Sequence, residues 1–134
     1  MCAFPIILED PTRIPGNTIA VSDKDETFIR REKWYVFNAG PANEIPEMCV
    51  KAGRCGGTAS GWLKHTTPSI ADGVVDTKVC FSSNTDCCSA SAKVLVRHCH
   101  GYVVYKFYDG IPSSIGARIC VSQSKCTKEI YLKR

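Results

Sequence analysis

Two stretches of the chain carry apolar residues in a pattern that reads as paired strands. AKVLVRHC and GYVVYKFY are rich in β-branched and aromatic residues, and His100-Gly101 lies between them. That pair suits the tip of a hairpin, because the glycine supplies the φ > 0 position such a turn needs. GVVDTKVCF alternates well enough for another strand and KWYVFN is a short aromatic one. ARICVSQ and EIYLK read as two last short strands. The first part, PTRIPGNTIAVSDKDET, is broken by Pro and Gly and is predicted to be irregular and draped over the surface. GPANEIPEMCVKAGRCGGTASG is turn-rich, which puts its cysteines on loops or strand ends, and ANEIPEMC has room for one helical turn at most. The pattern predicts a mainly β fold: a small disulfide-rich domain of short antiparallel strands and long loops, with little helix.

Composition narrows this further. At 134 residues, with 44% apolar and 22% charged residues, the chain fits one globular domain. The expected division is a single cysteine-rich domain over residues 1–126, with 127–134 as a tail or the start of a next module. Nine cysteines point to an oxidising compartment and hence to an extracellular or secreted protein. MCAFPIIL has neither a basic leader nor a small-residue cleavage site, so it is not read as a signal peptide. The expectation is a segment of a longer secreted chain. No apolar run approaches a membrane span, so no membrane insertion is expected. The net charge of +4 is mild, and Lys and Arg are scattered apart from Arg30, Arg31 and Lys33 beside Glu32. Without a basic stripe interleaved with aromatics, nucleic acid is not an expected partner.

Candidate chemistry has a plain alternative at each point. CVKAGRC is too widely spaced for a structural zinc pair, and the neighbours Cys87 and Cys88 point apart on an extended chain. His98 and His100 would share a face of a continuous strand, but a turn at Gly101 destroys that geometry. They are read as exposed residues flanking a buried half-cystine, and neither a metal nor a cofactor is expected. There is no C-x-x-C redox motif, Ser60 lacks the G-x-S-x-G elbow, and the carboxylates are dispersed. The protein is therefore read as not an enzyme. Trp34, Tyr35, Phe37 and Trp62 are read as structural. Along a strand Tyr102 and Tyr108 face one way and Tyr105 the other, so one side exposes a phenol. The three mark a candidate contact surface.

CGGTASGWLKHTTPSIADGVVDTKVCF, followed by DCCSASAKVLVRHCHGYVVYKF, closely resembles the eight-cysteine domain of the uromodulin, pancreatic secretory granule membrane major glycoprotein and oncoprotein-induced transcript 3 family. CAFPIILEDPTR resembles that family's first cysteine and its Leu-acid-x-Pro-x-Arg segment, and KWYVFNAG its Trp-Tyr-Arg-Phe strand. The likeness runs from about Cys2 to Cys120. It implies a secreted, disulfide-stapled module of larger mosaic glycoproteins that serves recognition and adhesion, without catalysis. Carried over position by position, it implies the pairs Cys2–Cys99, Cys49–Cys87, Cys55–Cys120 and Cys80–Cys88. Cys126 is then unpaired and could link two chains into a dimer. Two departures stand out. Ser22 and the segment PSSIG replace two cysteines that pair with each other in the family, so one bridge is lost without stranding a partner. The family's sequon loop reads WLKHTTP here, and the chain has no N-x-S/T sequon.

The function this implies is a non-catalytic extracellular recognition or structural module, serving adhesion, matrix assembly or innate defence. Its partner would be an extracellular protein or glycan. The alternatives are a stand-alone defence or toxin-like effector and, least supported, a small secreted enzyme.

Overall fold

The computed structural model describes residues 2–123. Cys126, the strand predicted at EIYLK and the 127–134 tail lie outside them. Seven strands form one sheet: β1 (Ile6–Glu9), β2 (Tyr35–Asn38), β3 (Ala59–Leu63), β4 (Val74–Phe81), β5 (Ala90–His98), β6 (Val103–Lys106) and β7 (Ala117–Ile119). The order across the sheet is β1-β2-β6-β5-β4-β3-β7. The helical content of the described residues is three short 3-10 turns, at Pro11–Arg13, Asp25–Thr27 and Ile70–Asp72.

The central pairs are antiparallel, as the pattern predicts, but both outer pairs, β1 with β2 and β3 with β7, run parallel. Parallel neighbours need long connections: an irregular segment supplies the one between β1 and β2, while the one between β3 and β7 carries β4, β5 and β6. The β5–β6 turn is closed by a hydrogen bond from the Cys99 N–H to the Tyr102 carbonyl at 2.8 Å. Gly101 sits within that turn at φ 89°, as the sequence suggests.

Two cores lie on opposite faces of the sheet. On the inner face the main core holds Leu63, Val79, Phe81, Val94, Val96 and Tyr105 among others. Cross-strand pairs build it: Val79 faces Ala92, Val96 faces Tyr105, and Tyr105 faces Tyr35. Phe37 packs against Tyr105 and edge-on to Phe107, with centroids 5.7 and 6.2 Å apart. The intervening residues of β3 and β4 point the other way. Trp62 and Cys80, paired across those strands, join Val50, Cys55, Cys120 and Cys88 in a second, sulfur-rich cluster.

The sheet curls until its two edges meet without joining as strands. Asp10, just past β1, lies 2.6 Å from the Arg118 guanidinium in β7, and the Val121 N–H donates to the Arg13 carbonyl. At this junction Gly57 has no room for a side chain: a Cβ there would sit 2.6 Å from Arg118 Cγ and 2.7 Å from the Gly116 carbonyl.

Candidate functional site

The cysteines form a scaffold. Bridges join Cys2–Cys99, Cys49–Cys87, Cys55–Cys120 and Cys80–Cys88, closing sequence separations of 97, 38, 65 and 8 residues. The adjacent Cys87 and Cys88 go to different partners. Trp62 fills the space beneath their loop, and its indole N–H donates to the Cys87 carbonyl at 2.8 Å. The Ser114 N–H, within PSSIG, donates to the Glu26 carboxylate at 3.0 Å and ties that loop to the segment following Ser22.

The N-terminal segment is irregular and mostly surface-lying, as expected, but it sends two charged side chains inward. Arg13 and Asp25 are 1% and 0% exposed and meet in a two-pronged ion pair at 2.7 and 2.9 Å. The same two side chains occupy the outer edge of β7: Arg13 donates to the Ile119 carbonyl, and the Asp25 carboxylate accepts the Ile119 N–H. The guanidinium of Arg13 also lies 5.2 Å from the Phe37 ring centre and 5.8 Å from that of Phe28. Arg118 completes the cluster, donating to the Asp10 carboxylate, the Thr12 hydroxyl and the carbonyls of Asp23 and Cys55. Burial works to raise the Asp10 pKa, but hydrogen bonds from Thr12 and Arg118, with the Arg118 charge, outweigh it and leave it below its ordinary value. Sequence reasoning missed this cluster. The Asp10-to-Arg13 motif was visible, but nothing in local periodicity shows that a Pro-containing loop buries its charges.

The three tyrosines separate. Tyr105 does not belong to a contact surface: β6 is an interior strand, and the side chain is wholly buried in the main core. Its hydroxyl accepts the Ile45 N–H at 3.1 Å, and burial pushes its pKa upward. Tyr102 is half-buried and donates to the Cys2 carbonyl at 2.6 Å, fastening the N-terminus beside the Cys2–Cys99 bridge. Tyr108 remains accessible on the outer face, and its hydroxyl donates to both Asp76 oxygens at 2.8 and 2.9 Å. That bond, ahead of burial, raises the Tyr108 pKa.

His98 ends β5, with its Nδ1 3.1 Å from the Pro68 carbonyl, while His100 is exposed in the turn. Among the described residues no group of three or more His, Cys, Asp or Glu side chains is placed to hold a metal. Glu44 is the nearest thing to a tuned acid. Burial raises its pKa and the Glu47 carboxylate adds to that, against the opposing charge of His98. Ser60 is buried, and its hydroxyl is committed to the backbone N–H and carbonyl of Arg54.

The outer face of the central strands is basic. Lys78 in β4 lies directly opposite Lys93 in β5, and both are exposed. Lys64, one residue beyond β3, donates its N–H to the Lys78 carbonyl and extends the row. The scattered lysines of the sequence are thus gathered by strand register.

Residues 35–121 match the family model of the uromodulin-like eight-cysteine domain. The chain is 33% identical to the pancreatic secretory granule membrane major glycoprotein of Rattus norvegicus over 132 residues, which cover 96% of this chain and 24% of that protein. It is 33% identical to the same glycoprotein of Canis lupus familiaris over 129 residues, 94% of this chain and 24% of the relative. Uromodulin of Mus musculus is 32% identical over 68 residues, 51% of this chain and 11% of that protein. The chain spans about a quarter of the length of the pancreatic glycoproteins it matches.

Proposed function

The chain belongs to the uromodulin-like eight-cysteine domain family, and from that premise we propose that it is a non-catalytic recognition and structural module of a larger extracellular mosaic protein. The observation that carries this reading is the pairing of all eight cysteines of the described residues into four bridges spread over the whole fold. Such a framework persists in oxidising compartments and is reduced in the cytosol. The short match relative to the pancreatic glycoproteins favours a module over a stand-alone effector. The chemistry of the best-buried polar side chains points the same way. Arg13, Asp25 and Ser60 are spent on backbone groups and on each other, which suits a scaffold. The partner is an extracellular protein or glycan, with adhesion, matrix assembly or defence as the setting. Cys126, the ninth cysteine, serves as a link to a second chain or a following module.

The test is binding to intact cells. The protein, produced through a secretory route and made tetravalent on a fluorescent carrier, should bind a cell surface saturably and be displaced by the untagged monomer. Signal that neither saturates nor competes on any of a broad panel of cell types would refute the recognition reading.

A further inference from the structure

The row Lys64–Lys78–Lys93 has a cost and no evident structural return. Like charges directly opposite on neighbouring strands destabilise a sheet. Lys78 spends its backbone carbonyl on Lys64. Toward β5 it is therefore in a non-hydrogen-bonded pair, the kind in which facing side chains approach most closely. Among the described residues none of these three lysines has a carboxylate in ion-pair contact. On the outer face of β4 and β5 the carboxylate is Asp76, and the Tyr108 hydroxyl bonds both of its oxygens. Lys106 stands on the same face, opposite Leu95.

We propose that this lysine row binds a linear sulfated polysaccharide. Neighbouring strands are about 4.8 Å apart, so three ammonium groups on flexible stems span roughly 10 Å of a nearly straight track. That geometry suits a polymer with closely repeated anionic groups better than it suits a single phosphate or carboxylate. Lysine contributes a compact, rotatable charge that follows irregularly placed sulfates, whereas the fixed fork of arginine favours one planar anion. A single-stranded nucleic acid would want aromatic faces between the charges for its bases, and in the row itself no aromatic residue intervenes. The inference rests on the recognition reading above and gives its glycan partner a chemical class.

The probe is heparin, with hyaluronan as an unsulfated anionic polysaccharide and oligo-dT as a nucleic-acid polyanion. The full chain should be retained on immobilised heparin at physiological ionic strength, with an affinity that falls steeply as salt rises. Lys78→Gln with Lys93→Gln should weaken binding at least tenfold and raise the melting temperature slightly, since it relieves a repulsion. Lys33→Gln with Lys51→Gln removes the same charge elsewhere and should change binding less than twofold. Equal loss in both double variants, equal affinity for oligo-dT or hyaluronan, or no retention at all would overturn the assignment. Heparinase treatment of target cells separates this idea from its premise. Loss of binding supports the row, whereas saturable binding that survives the enzyme and the Lys78/Lys93 substitutions refutes the row and leaves recognition standing. Heparin binding in solution with no cell binding would sustain the row and refute recognition.

Discussion

Replacing Asp25 by alanine should be among the most damaging single changes in the molecule. The substitution removes the carboxylate that pairs with Arg13 and accepts the Ile119 N–H, and both groups are left buried. Breaking a buried ion pair from one side costs about 3–5 kcal/mol, because the remaining charge is uncompensated. Total stability of a domain this size is about 5–15 kcal/mol, so the loss is a large share of it. Arg13→Met keeps the stem over Phe37 and Phe28 but strands Asp25, and should cost a similar amount. The double variant Arg13→Met with Asp25→Ala buries no unpaired charge. What remains is an orphaned N–H and carbonyl on Ile119, at about 1–3 kcal/mol each. The two changes should therefore couple by about 2 kcal/mol or more, against near-additivity for independent sites. Urea titration of the oxidised protein, followed by Trp34 and Trp62 fluorescence, measures all three. With a slope of about 2 kcal/mol per molar, a 4 kcal/mol loss moves the midpoint down by about 2 M. A single-variant loss below about 1 kcal/mol, or additivity of the pair within about 0.5 kcal/mol, would refute the reasoning.

Three further outcomes follow from other parts of the fold. Chain entropy assigns about 4 kcal/mol to the 65-residue closure of Cys55–Cys120 and about 2.5 kcal/mol to the 8-residue closure of Cys80–Cys88. The Cys55→Ala, Cys120→Ala variant should accordingly melt well below its Cys80→Ala, Cys88→Ala counterpart, and the reverse order in calorimetry would count against that account. Asp10 has a lowered folded-state pKa, so its contribution is whole above about pH 4 and is lost as pH falls through the lowered value. Asp10→Asn should flatten the acid limb of stability against pH, and an unchanged slope below about pH 4 would dismiss the carboxylate as its source. Alkylating the folded protein without reductant should label Cys126 alone, since the other eight of nine cysteines are bridged; peptide mapping that finds label on Cys2 with Cys126 protected would reject this assignment.

What the sequence reveals and hides divides along physical lines. β2, β4, β5, β6 and β7 are visible because β-branched and aromatic residues concentrate there. β3 is hidden because ASGWL is mostly small and its identity is set by neighbours. A Cβ on Gly61 would lie 2.9 Å from the Phe81 ring, so the strand is chosen to fit what crosses it. β1 is hidden because IILE is short and follows a proline, and the parallel partner that makes it a strand lies far along the chain. The cysteine pairing is legible through family likeness and not through spacing. The charges were the least legible part. Burial of Arg13 and alignment of Lys64, Lys78 and Lys93 both depend on register between distant segments, which periodicity within one segment cannot encode.

The bridge from Cys2 to Cys99 also fixes how the domain behaves under mechanical load. A chain pulled between Cys2 and Gln123 without cross-links would pay out to about 420 Å once unravelled, at roughly 3.5 Å per residue. The bridge shunts the force past 97 residues of sequence, leaving roughly 24 residues and about 85 Å of extensible contour. Most of the sheet, β1 to β5, lies inside the shunted loop, and the Cys55–Cys120 bridge ties that loop to the remaining segment. Even after β6 and β7 peel away, the domain behaves as a short tether rather than a long spring. Segments pulled at its two ends could separate by no more than about a fifth of the uncross-linked contour until a disulfide is reduced.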